Sequence, residues 1–225
     1  LHNKGAAPFG GFVTLGDRAV LSNSPERFIA LDASGHLETR PIKGTRPRGK
    51  TSDEDSTLAA ELSASAKDRA ENLMIVDLMR HDLSKVAEVG SVKVTALNAL
   101  ESYPNVHHLV STVTAQLQAG KTAADVLTAT FPPGSISGAP KVQAMKVICE
   151  MEAARGPYCG SLFFIDAGGA MDSNVLIRTL ALEKDEAGWH FRAAAGGGIV
   201  ADSDPIAERI ETETKLSLIR SVLEG

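Results

Sequence analysis

Apolar and polar residues alternate in short runs at the start of the chain. The runs cover residues 11–15, 19–22, 27–31 and 36–40, and turn-forming Gly, Asp, Asn, Ser and Pro residues separate them. Alternation with a period of two is typical of β-strands that bury one face. The pattern therefore predicts a meander of antiparallel strands.

The pattern becomes helical between Asp53 and Lys85. Residues at spacings of three and four stand at positions 58, 62, 66, 70, 73 and 77, and all of them except Asp77 are apolar. Such spacing predicts one long helix with an apolar face. Further along the chain, the same criteria predict strands over residues 91–98, 107–117, 160–166, 175–183 and 189–195, and helices over 122–130, 138–154 and 205–223.

The order of these elements predicts the fold class. Strands and helices occur in clusters rather than in strict alternation, which favours an α+β fold with mostly antiparallel sheet over a doubly wound parallel fold. No linker composition interrupts the 225 residues, so we expect one domain, residues 1–225. The chain starts at Leu1 within a strand-rich region, which suggests that it is part of a longer protein.

Composition and charge narrow the functional classes. The formal net charge is −5 and no basic block is present, so a nucleic-acid partner is not expected. A small anionic ligand is still compatible with this charge, because only a few cationic side chains are needed to bind it. Cys149 and Cys159 have neither metal-ligand spacing nor the density of a disulfide-rich domain. No apolar run approaches the roughly 20 residues of a membrane span. We therefore expect a cytoplasmic protein without membrane contact.

One string of residues points to a different class of protein. Residues 44–51, GTRPRGKT, match the G-x-x-x-x-G-K-S/T pattern of phosphate-binding loops, and residues 73–77 could supply the acidic strand that accompanies it. A phosphate-binding loop follows a buried apolar strand, whereas the residues before Gly44 are polar and include Pro41. The context therefore disfavours an NTPase.

Lys43 is the first candidate for chemistry. It stands at the junction between a strand and a loop, after Pro41, and the cationic neighbours Arg40, Arg46 and Arg48 would favour a neutral, nucleophilic amine. An ordinary surface lysine is the alternative. Glu26, between a turn and a strand, is placed to act as a general acid, or alternatively to pair with Arg27.

Three glutamates are candidates for a metal site. Glu71 lies near the apolar boundary of the long helix, and Glu208 and Glu211 share one face of the last helix. Carboxylates from separate helices, together with water and a substrate carboxylate, are the ligands that magnesium prefers. The alternative is a solvated, salt-bridged face of the last helix.

Other residues suggest that the ligand is an anion. Gly196, Gly197 and Gly198 would let backbone N–H groups approach it closely, and Arg178, among apolar neighbours, would bind a carboxylate. The 131–141 segment precedes a predicted helix N-terminus, which also attracts negative charge. Together these residues predict a dianionic small molecule bound with magnesium (Mg2+).

Six segments, taken together, resemble the chorismate-utilising enzymes. The segments are residues 24–28, 41–49, 68–73, 76–83, 131–141 and 196–199. The resemblance implies the family's layered α/β/β/α sandwich of largely antiparallel sheets, with this chain as its C-terminal part. Members of this type are roughly twice as long, so the N-terminal half would be absent.

The resemblance also implies residue roles. Glu71 and Glu211 match direct magnesium ligands, and Glu208 matches a position that acts nearby, often through water. His108 matches a histidine near the substrate ring. The positions that match contacts to the carboxylates and hydroxyl of chorismate are Gly44, Thr45, Tyr158, Arg178, Gly196, Gly197 and Gly198.

The residues PIKGT at 41–45 resemble the subgroup that forms 4-amino-4-deoxychorismate, for para-aminobenzoate and folate biosynthesis. There Lys43 would attack C2 of chorismate, Glu26 would assist loss of the C4 hydroxyl, and ammonia would then attack C4. The resemblance implies that a separate glutamine amidotransferase subunit supplies the ammonia. The alternative within the family is formation of anthranilate, since those members commonly have a small residue at position 43.

Overall fold

A computed structural model describes residues 6–201 and 203–223, and only the backbone of Leu218. The chain forms two compact units. Unit 1 comprises Leu1–Glu26, Glu152–Leu162 and Asn174–Gly225, and unit 2 comprises Arg27–Met151 and Phe163–Ser173. The prediction that the whole chain is one domain stays a prediction.

The elements are numbered here in chain order. The strands are β1 (Gly11–Leu15), β2 (Arg18–Ser22), β3 (Arg27–Leu31), β4 (His36–Thr39), β5 (Ile42–Pro47), β6 (Lys93–Ser102), β7 (Val106–Gln116), β8 (Phe163–Ile165), β9 (Met171–Asn174), β10 (Thr179–Asp185) and β11 (Gly188–Ala193). The helices are α1 (Ser52–Ala64), α2 (Ala66–Ser84), α3 (Ala123–Thr130), α4 (Gly134–Ser137), α5 (Lys141–Met151) and α6 (Pro205–Leu223).

Unit 1 contains a four-stranded sheet in the order β1-β2-β10-β11, and every pair in it is antiparallel. The sheet brings the N-terminal hairpin beside a hairpin from far along the chain, because β2 pairs with β10 from Ser22 opposite Thr179 to Arg18 opposite Glu183. Unit 1 also contains helix α6. Strand β10 begins with Thr179 and Leu180, and both residues are buried.

Unit 2 contains a seven-stranded sheet. Its order is β5-β7-β4-β3-β9-β8, and β6 pairs with β7 as well. Helix α2 packs against β7 and β5 and supplies part of the core of this unit. The largest fully buried side chains of unit 2 are Phe28, Ile29, Leu37, Leu62, Ile75, Val76, Met79, Leu83, His107, Leu109, Val113 and Val126. The α+β class with antiparallel sheets is confirmed.

The prediction of one long helix over residues 53–85 is wrong. Ser65 has an extended conformation with ψ of 107°, which ends α1, and its hydroxyl accepts a hydrogen bond from the N–H of Asp68, which begins α2. The interruption changes the phase of the buried face. Ala66, Ala70 and Leu73 are therefore exposed, and the buried positions of α2 are instead residues 72, 75, 76, 78, 79, 82 and 83.

Several other segments differ from the prediction, among them the following three. Residues 42–47 form strand β5 although Pro41, Gly44 and Pro47 resemble a loop, because β7 supplies a pairing partner that is distant in sequence. The strand predicted over 175–183 begins only at Thr179, since Arg178 has a positive φ of 50°. The helix predicted over 138–154 is the shorter α5.

Two further properties concern the described residues as a set. No helix among residues 6–201 and 203–223 combines the length and apolar character that crossing a membrane requires. Cys149 is exposed, Cys159 is buried, and both are free thiols.

Candidate active site

Lys43 lies on a strand with an irregular register. In the pairing of β5 with β7, Lys43 is opposite Leu109 and Thr45 is opposite His108, so Gly44 is an extra residue that forms a β-bulge. The Nζ atom of Lys43 donates a hydrogen bond of 3.3 Å to the carbonyl of Ser135. Lys43 is half-buried. The alternative of an ordinary, solvated surface lysine does not fit this geometry.

Gly44 can only be glycine in this conformation. Its φ is +81°, and a Cβ atom there would lie 2.9 Å from the Cβ and Cγ atoms of Asp68 and 2.9 Å from Leu62. A left-handed backbone angle is unfavourable for other residues, and no space is available for a side chain. The bulge therefore depends on Gly44, while its predicted contact with substrate stays a prediction.

Thr45 and His108 form a hydrogen-bonded pair across the two strands. The Thr45 hydroxyl and the Nδ1 atom of His108 are 2.9 Å apart. His108 is buried, and its ring lies 5.7 Å from that of Tyr103, at an interplanar angle of 60°. Burial, followed by a hydrogen bond to Glu101, raises the pKa of Tyr103. The orientation of His108 is thus set by neighbours on both sides.

The arginines around Lys43 do not act as expected. Each of the three is paired with a carboxylate of unit 2, in the ion pairs Arg40–Glu101, Arg46–Asp68 and Arg48–Asp55. A paired cation exerts a much weaker field on its surroundings than a single one. The expectation that these arginines favour a neutral Lys43 amine therefore loses its physical basis.

The phosphate-loop interpretation is excluded by the bonds of the same segment. The N–H of Gly49 donates to the Asp55 carboxylate at 2.8 Å, and the N–H of Lys50 donates to Glu54 at 2.7 Å. Hydrogen bonds from Arg48 and then from Gly49 hold the pKa of Asp55 well below its usual range. Amides that would bind a phosphate already bind carboxylates, and carboxylates would repel a phosphate.

Glu71 lies on α2, beside the buried Asn72, although Ala70 and Leu73, the apolar neighbours used in the sequence argument, are exposed. Its side chain is 16% exposed and its carboxylate lies 3.9 Å from the Nζ atom of Lys67. The next residue, Asn72, is fully buried and bonded to the hydroxyl of Ser111. Glu71 therefore has a defined position with partial access to solvent, which is compatible with a ligand role.

Arg178 of unit 1 combines burial with an uncompensated charge. It precedes β10, and burial lowers the pKa of its guanidinium. Its carbonyl accepts a hydrogen bond of 3.1 Å from Asn23, but within residues 6–201 and 203–223 its guanidinium makes no hydrogen bond or ion pair. Taking a charge out of water without a partner is costly. Such a cation is suited to bind an anionic ligand.

Tyr158, the triglycine segment and Glu208 lie together in unit 1. A Cβ atom on Gly196 would lie 3.2 Å from the Tyr158 hydroxyl, and one on Gly197 would lie 2.7 Å from a carboxylate oxygen of Glu208. Glu208 is buried and accepts a hydrogen bond of 2.8 Å from Ser203. Burial raises the pKa of Tyr158. Gly198 belongs to the same exposed segment.

Glu211 is half exposed and forms an ion pair of 2.6 Å with Lys215, as the salt-bridge alternative suggested. Lys215 also donates a hydrogen bond of 2.9 Å to the carbonyl of Gly196, and so connects α6 to the triglycine segment. From the sequence, Lys215 was expected only as part of a salt-bridged face, and its contact with the triglycine segment was not predicted. Its spacing of four residues from Glu211 was the available signal.

Glu71, Glu208 and Glu211 are the candidate magnesium ligands. Within the described part of the chain, no three His, Cys, Asp or Glu side chains form a group that could hold a metal ion. Glu208 and Glu211 do supply the oxygen ligands that magnesium prefers, and a side chain on Gly197 would collide with Glu208. Glu71 belongs to unit 2. A magnesium site shared by the three glutamates stays a prediction.

Glu26 is a buried carboxyl group with a fixed backbone. It is 5% exposed, its carbonyl accepts a hydrogen bond of 3.1 Å from Val175, and its N–H donates to the Ser24 hydroxyl at 3.2 Å. Arg27, the partner in the alternative interpretation, is bound to Glu38 and Asp172. A buried carboxyl group can hold and release a proton at a defined place, as a general acid requires.

The comparisons with known proteins place the chain in one enzyme family. A family model described as chorismate binding enzyme matches residues 1–221, and the chain belongs to this family. The chain is 52% identical to aminodeoxychorismate synthase component 1 of Klebsiella aerogenes over 226 residues, which is 100% of this chain and 49% of that protein. The family resemblance inferred from the sequence is confirmed.

Other similar proteins are named anthranilate synthases. The chain is 43% identical to anthranilate synthase component 1 2 of Haloarcula marismortui, over 92% of this chain and 39% of that protein. The structure of the present chain is similar to that of anthranilate synthase component I from Streptococcus pneumoniae TIGR4. The TM-score is 0.83, with 36% identity over 97% of this chain and 47% of the Streptococcus chain. The chain spans about half the length of the curated relatives it matches.

Proposed function

We propose that the protein converts chorismate and ammonia to 4-amino-4-deoxychorismate, with Lys43 as a covalent nucleophile. The observation that carries the proposal is the place of Lys43, on a bulged strand, bonded to the Ser135 carbonyl and next in the strand to the Thr45–His108 pair. The similarity to aminodeoxychorismate synthase component 1 supports it. The reaction would serve para-aminobenzoate synthesis.

The chemistry proceeds in two substitutions. In its deprotonated form, the amine of Lys43 attacks C2 of chorismate, the ring double bond shifts, and the C4 hydroxyl leaves with a proton from Glu26, as water. Ammonia then attacks C4, the double bond shifts back, the C2–N bond breaks to return its electron pair to Lys43, and the new C4 ammonium group gives a proton back to Glu26. The net change is chorismate plus ammonia to aminodeoxychorismate plus water. Dividing a difficult substitution in this way lowers its barrier.

The substrate's two carboxylates need positive charge or N–H donors. In this proposal Arg178 binds one carboxylate, because its guanidinium is partly buried and has no partner in the described ranges. The backbone of Gly196, Gly197 and Gly198 and the Tyr158 hydroxyl, which adjoins Gly196, are further donors. Gly44 and Thr45 would contact the ring substituents, and His108 would orient Thr45.

Magnesium is the proposed cofactor. Glu208, Glu211 and Glu71 would hold it, and when bound it would neutralise a substrate carboxylate. Removal of magnesium by a chelator is expected to weaken chorismate binding, as measured by calorimetric titration. Glu208→Gln should reduce the difference between titrations with and without magnesium. An equal affinity under both conditions would remove magnesium from the proposal.

A glutamine amidotransferase subunit is the proposed source of ammonia. The name of the Klebsiella relative, component 1, is consistent with a protein that works with a second component. Ammonium salts should then support product formation by this protein alone, whereas glutamine should not. Activity with glutamine and without a second protein would contradict this part of the proposal.

The test of the nucleophile is mass spectrometry of the intact protein. Incubation with chorismate, in the absence of ammonia, should give a covalent adduct on Lys43, and Lys43→Ala should abolish it and lower turnover by at least about a thousandfold. Lys50→Ala, at an exposed lysine on the loop after β5, is the matched control and should retain the adduct. An adduct in Lys43→Ala would remove its nucleophilic role.

Anthranilate formation is the second candidate function. It is favoured by the similarity to the Haloarcula and Streptococcus proteins. Chromatography of the products formed from chorismate, magnesium and ammonia separates the two candidates. Aminodeoxychorismate as the main product supports the proposal, and anthranilate as the main product would replace it.

A further inference from the structure

Lys141 is an unusually buried lysine. Only 12% of its side chain is exposed, and burial lowers the pKa of its amine. Its Nζ atom donates hydrogen bonds to the carbonyls of Thr130 and Pro132, both at 2.7 Å, and to the carboxylate of Asp82. Asp82 is itself 1% exposed and also binds Lys85 at 2.8 Å.

These bonds close the segment of residues 131–140, which we name the 131–140 loop. Lys141 directly follows this loop, and the two carbonyls that it binds belong to Thr130, which directly precedes the loop, and to Pro132, near its beginning. The ammonium group therefore ties the end of the loop to its start, and Asp82 attaches both to helix α2. An apolar side chain would fill the same space, but it could not hold two carbonyls and a carboxylate together.

The middle of the loop is also held closely. A Cβ atom on Gly134 would lie 2.9 Å from the Cδ2 atom of Leu78 and 3.3 Å from the Sδ atom of Met79, so α4 lies directly against α2. The hydroxyl of Ser137 donates a hydrogen bond of 2.9 Å to the carbonyl of Pro133. The loop thus has little room to shift relative to α2.

Ser135, in α4, supplies the carbonyl that accepts the hydrogen bond from Lys43. We propose that Lys141 is a positioning residue for Lys43: with Asp82 it fixes the 131–140 loop, and the loop places the Ser135 carbonyl that orients the Lys43 amine. The catalytic meaning of this arrangement rests on the proposed function. The placement of Lys43 by Lys141 does not require any substrate.

The test is the reactivity of Lys43 towards a small reagent. The protein is methylated with formaldehyde and cyanoborohydride, and the labelling rate of each lysine is read by peptide mass spectrometry, with exposed Lys50 as internal reference. Lys141→Met should raise the relative labelling rate of Lys43 by about fivefold, the factor that corresponds to one hydrogen bond of ordinary net strength.

Two further variants make the result specific. Lys146→Met, at an exposed lysine on the same helix α5, should leave the rate at Lys43 unchanged. Gly134→Ala, whose methyl group would press on Leu78, should move α4 and raise the rate at Lys43 even if Lys141→Met does not fold. An unchanged Lys43 rate in folded Lys141→Met, or in Gly134→Ala where Lys141→Met is unfolded, overturns the proposal.

The outcome is separable from that of the proposed function. Labelling uses no chorismate, so a raised rate at Lys43 supports the positioning role whether or not an adduct forms. If the adduct does form in the unchanged protein, its formation in Lys141→Met should slow by about the same fivefold factor. Normal adduct formation together with an unchanged labelling rate would leave the proposed function intact and remove the positioning role.

Discussion

The cations around Lys43 in unit 2 and Arg178 in unit 1 differ in their charge partners. In unit 2, these cations are matched by carboxylates, as in Arg40–Glu101, Arg48–Asp55 and Lys141–Asp82. In unit 1, burial lowers the pKa of Arg178, yet its guanidinium has no such partner in the part of the chain that the structure describes.

The difference suggests two uses of charge in the protein. Paired charges hold a framework in place, because each pair also restricts the side chains and loops that carry it. An unpaired, desolvated cation destabilises the free protein and is stabilised when an anion binds. We infer that unit 2 is built to position a reactive group, and that the Arg178 region of unit 1 is built to attract charge.

Replacing Arg178 tests this comparison most strongly. Arg178→Met should weaken chorismate binding by about a hundredfold, since charge-assisted hydrogen bonds to a carboxylate are lost. The same change should leave the free energy of unfolding unchanged or raise it, because a desolvated charge is removed. Calorimetric titration and urea denaturation measure the two effects.

Arg192→Met, at an exposed arginine of β11, is the matched control and should alter neither quantity. A large loss of stability in Arg178→Met would show that this guanidinium supports the fold. The contrast between the two units would then be broken.

Replacing Gly44 tests how closely unit 2 is fitted. Gly44→Ala should lower the free energy of unfolding by roughly 2–4 kcal/mol, from the left-handed backbone angle and from contact with Asp68 and Leu62. Gly90→Ala is the control, because Gly90 has a similar φ of +80° but open space around it. It should cost about 1–2 kcal/mol. Equal losses in urea denaturation would mean that the framework yields to an added methyl group.

The smallest expected effect concerns acid stability. The pKa of Asp55 is lowered in the folded protein, chiefly by Arg48. The pairing of Asp55 therefore stabilises the fold at pH values above the pKa of about 3.9 that an aspartate has in the unfolded chain. This stabilisation is lost as the pH falls through the pKa of Asp55 in the folded protein. Asp55→Asn should therefore flatten the loss of stability below about pH 4. Thermal unfolding across that range measures the slope, and Asp53→Asn on the same helix is the control.

Much of the fold could be predicted from local pattern. Strands β1 and β3 and helix α6 begin and end as expected, because their periodicity is regular and turn residues bound them. Strand β5 could not be predicted, since its stability comes from pairing with β7, about sixty residues away. The interruption at Ser65 was missed because serine at this place ends one helix and caps the next, and neither event disturbs the apolar spacing strongly.

The site was only partly predictable. Side chains with distinctive chemistry, such as Lys43 and Arg178, can be found in a motif or among apolar neighbours. The Ser135 carbonyl could not be found in this way, because every residue has a carbonyl and only the fold shows which one meets Lys43. The pairing of Arg40 with Glu101 was hidden for a similar reason, since it depends on the register of distant strands.

The bulge at Gly44 has a consequence for how this segment can evolve. Lys43 stands opposite Leu109, and Thr45 stands opposite His108, only because one additional residue is accommodated between them. A deletion of Thr45, with the bulge kept at Gly44, would bring Arg46 opposite His108 and displace every following pair by one position. In this strand, loss or gain of a codon should thus be tolerated less well than most exchanges of one amino acid for another.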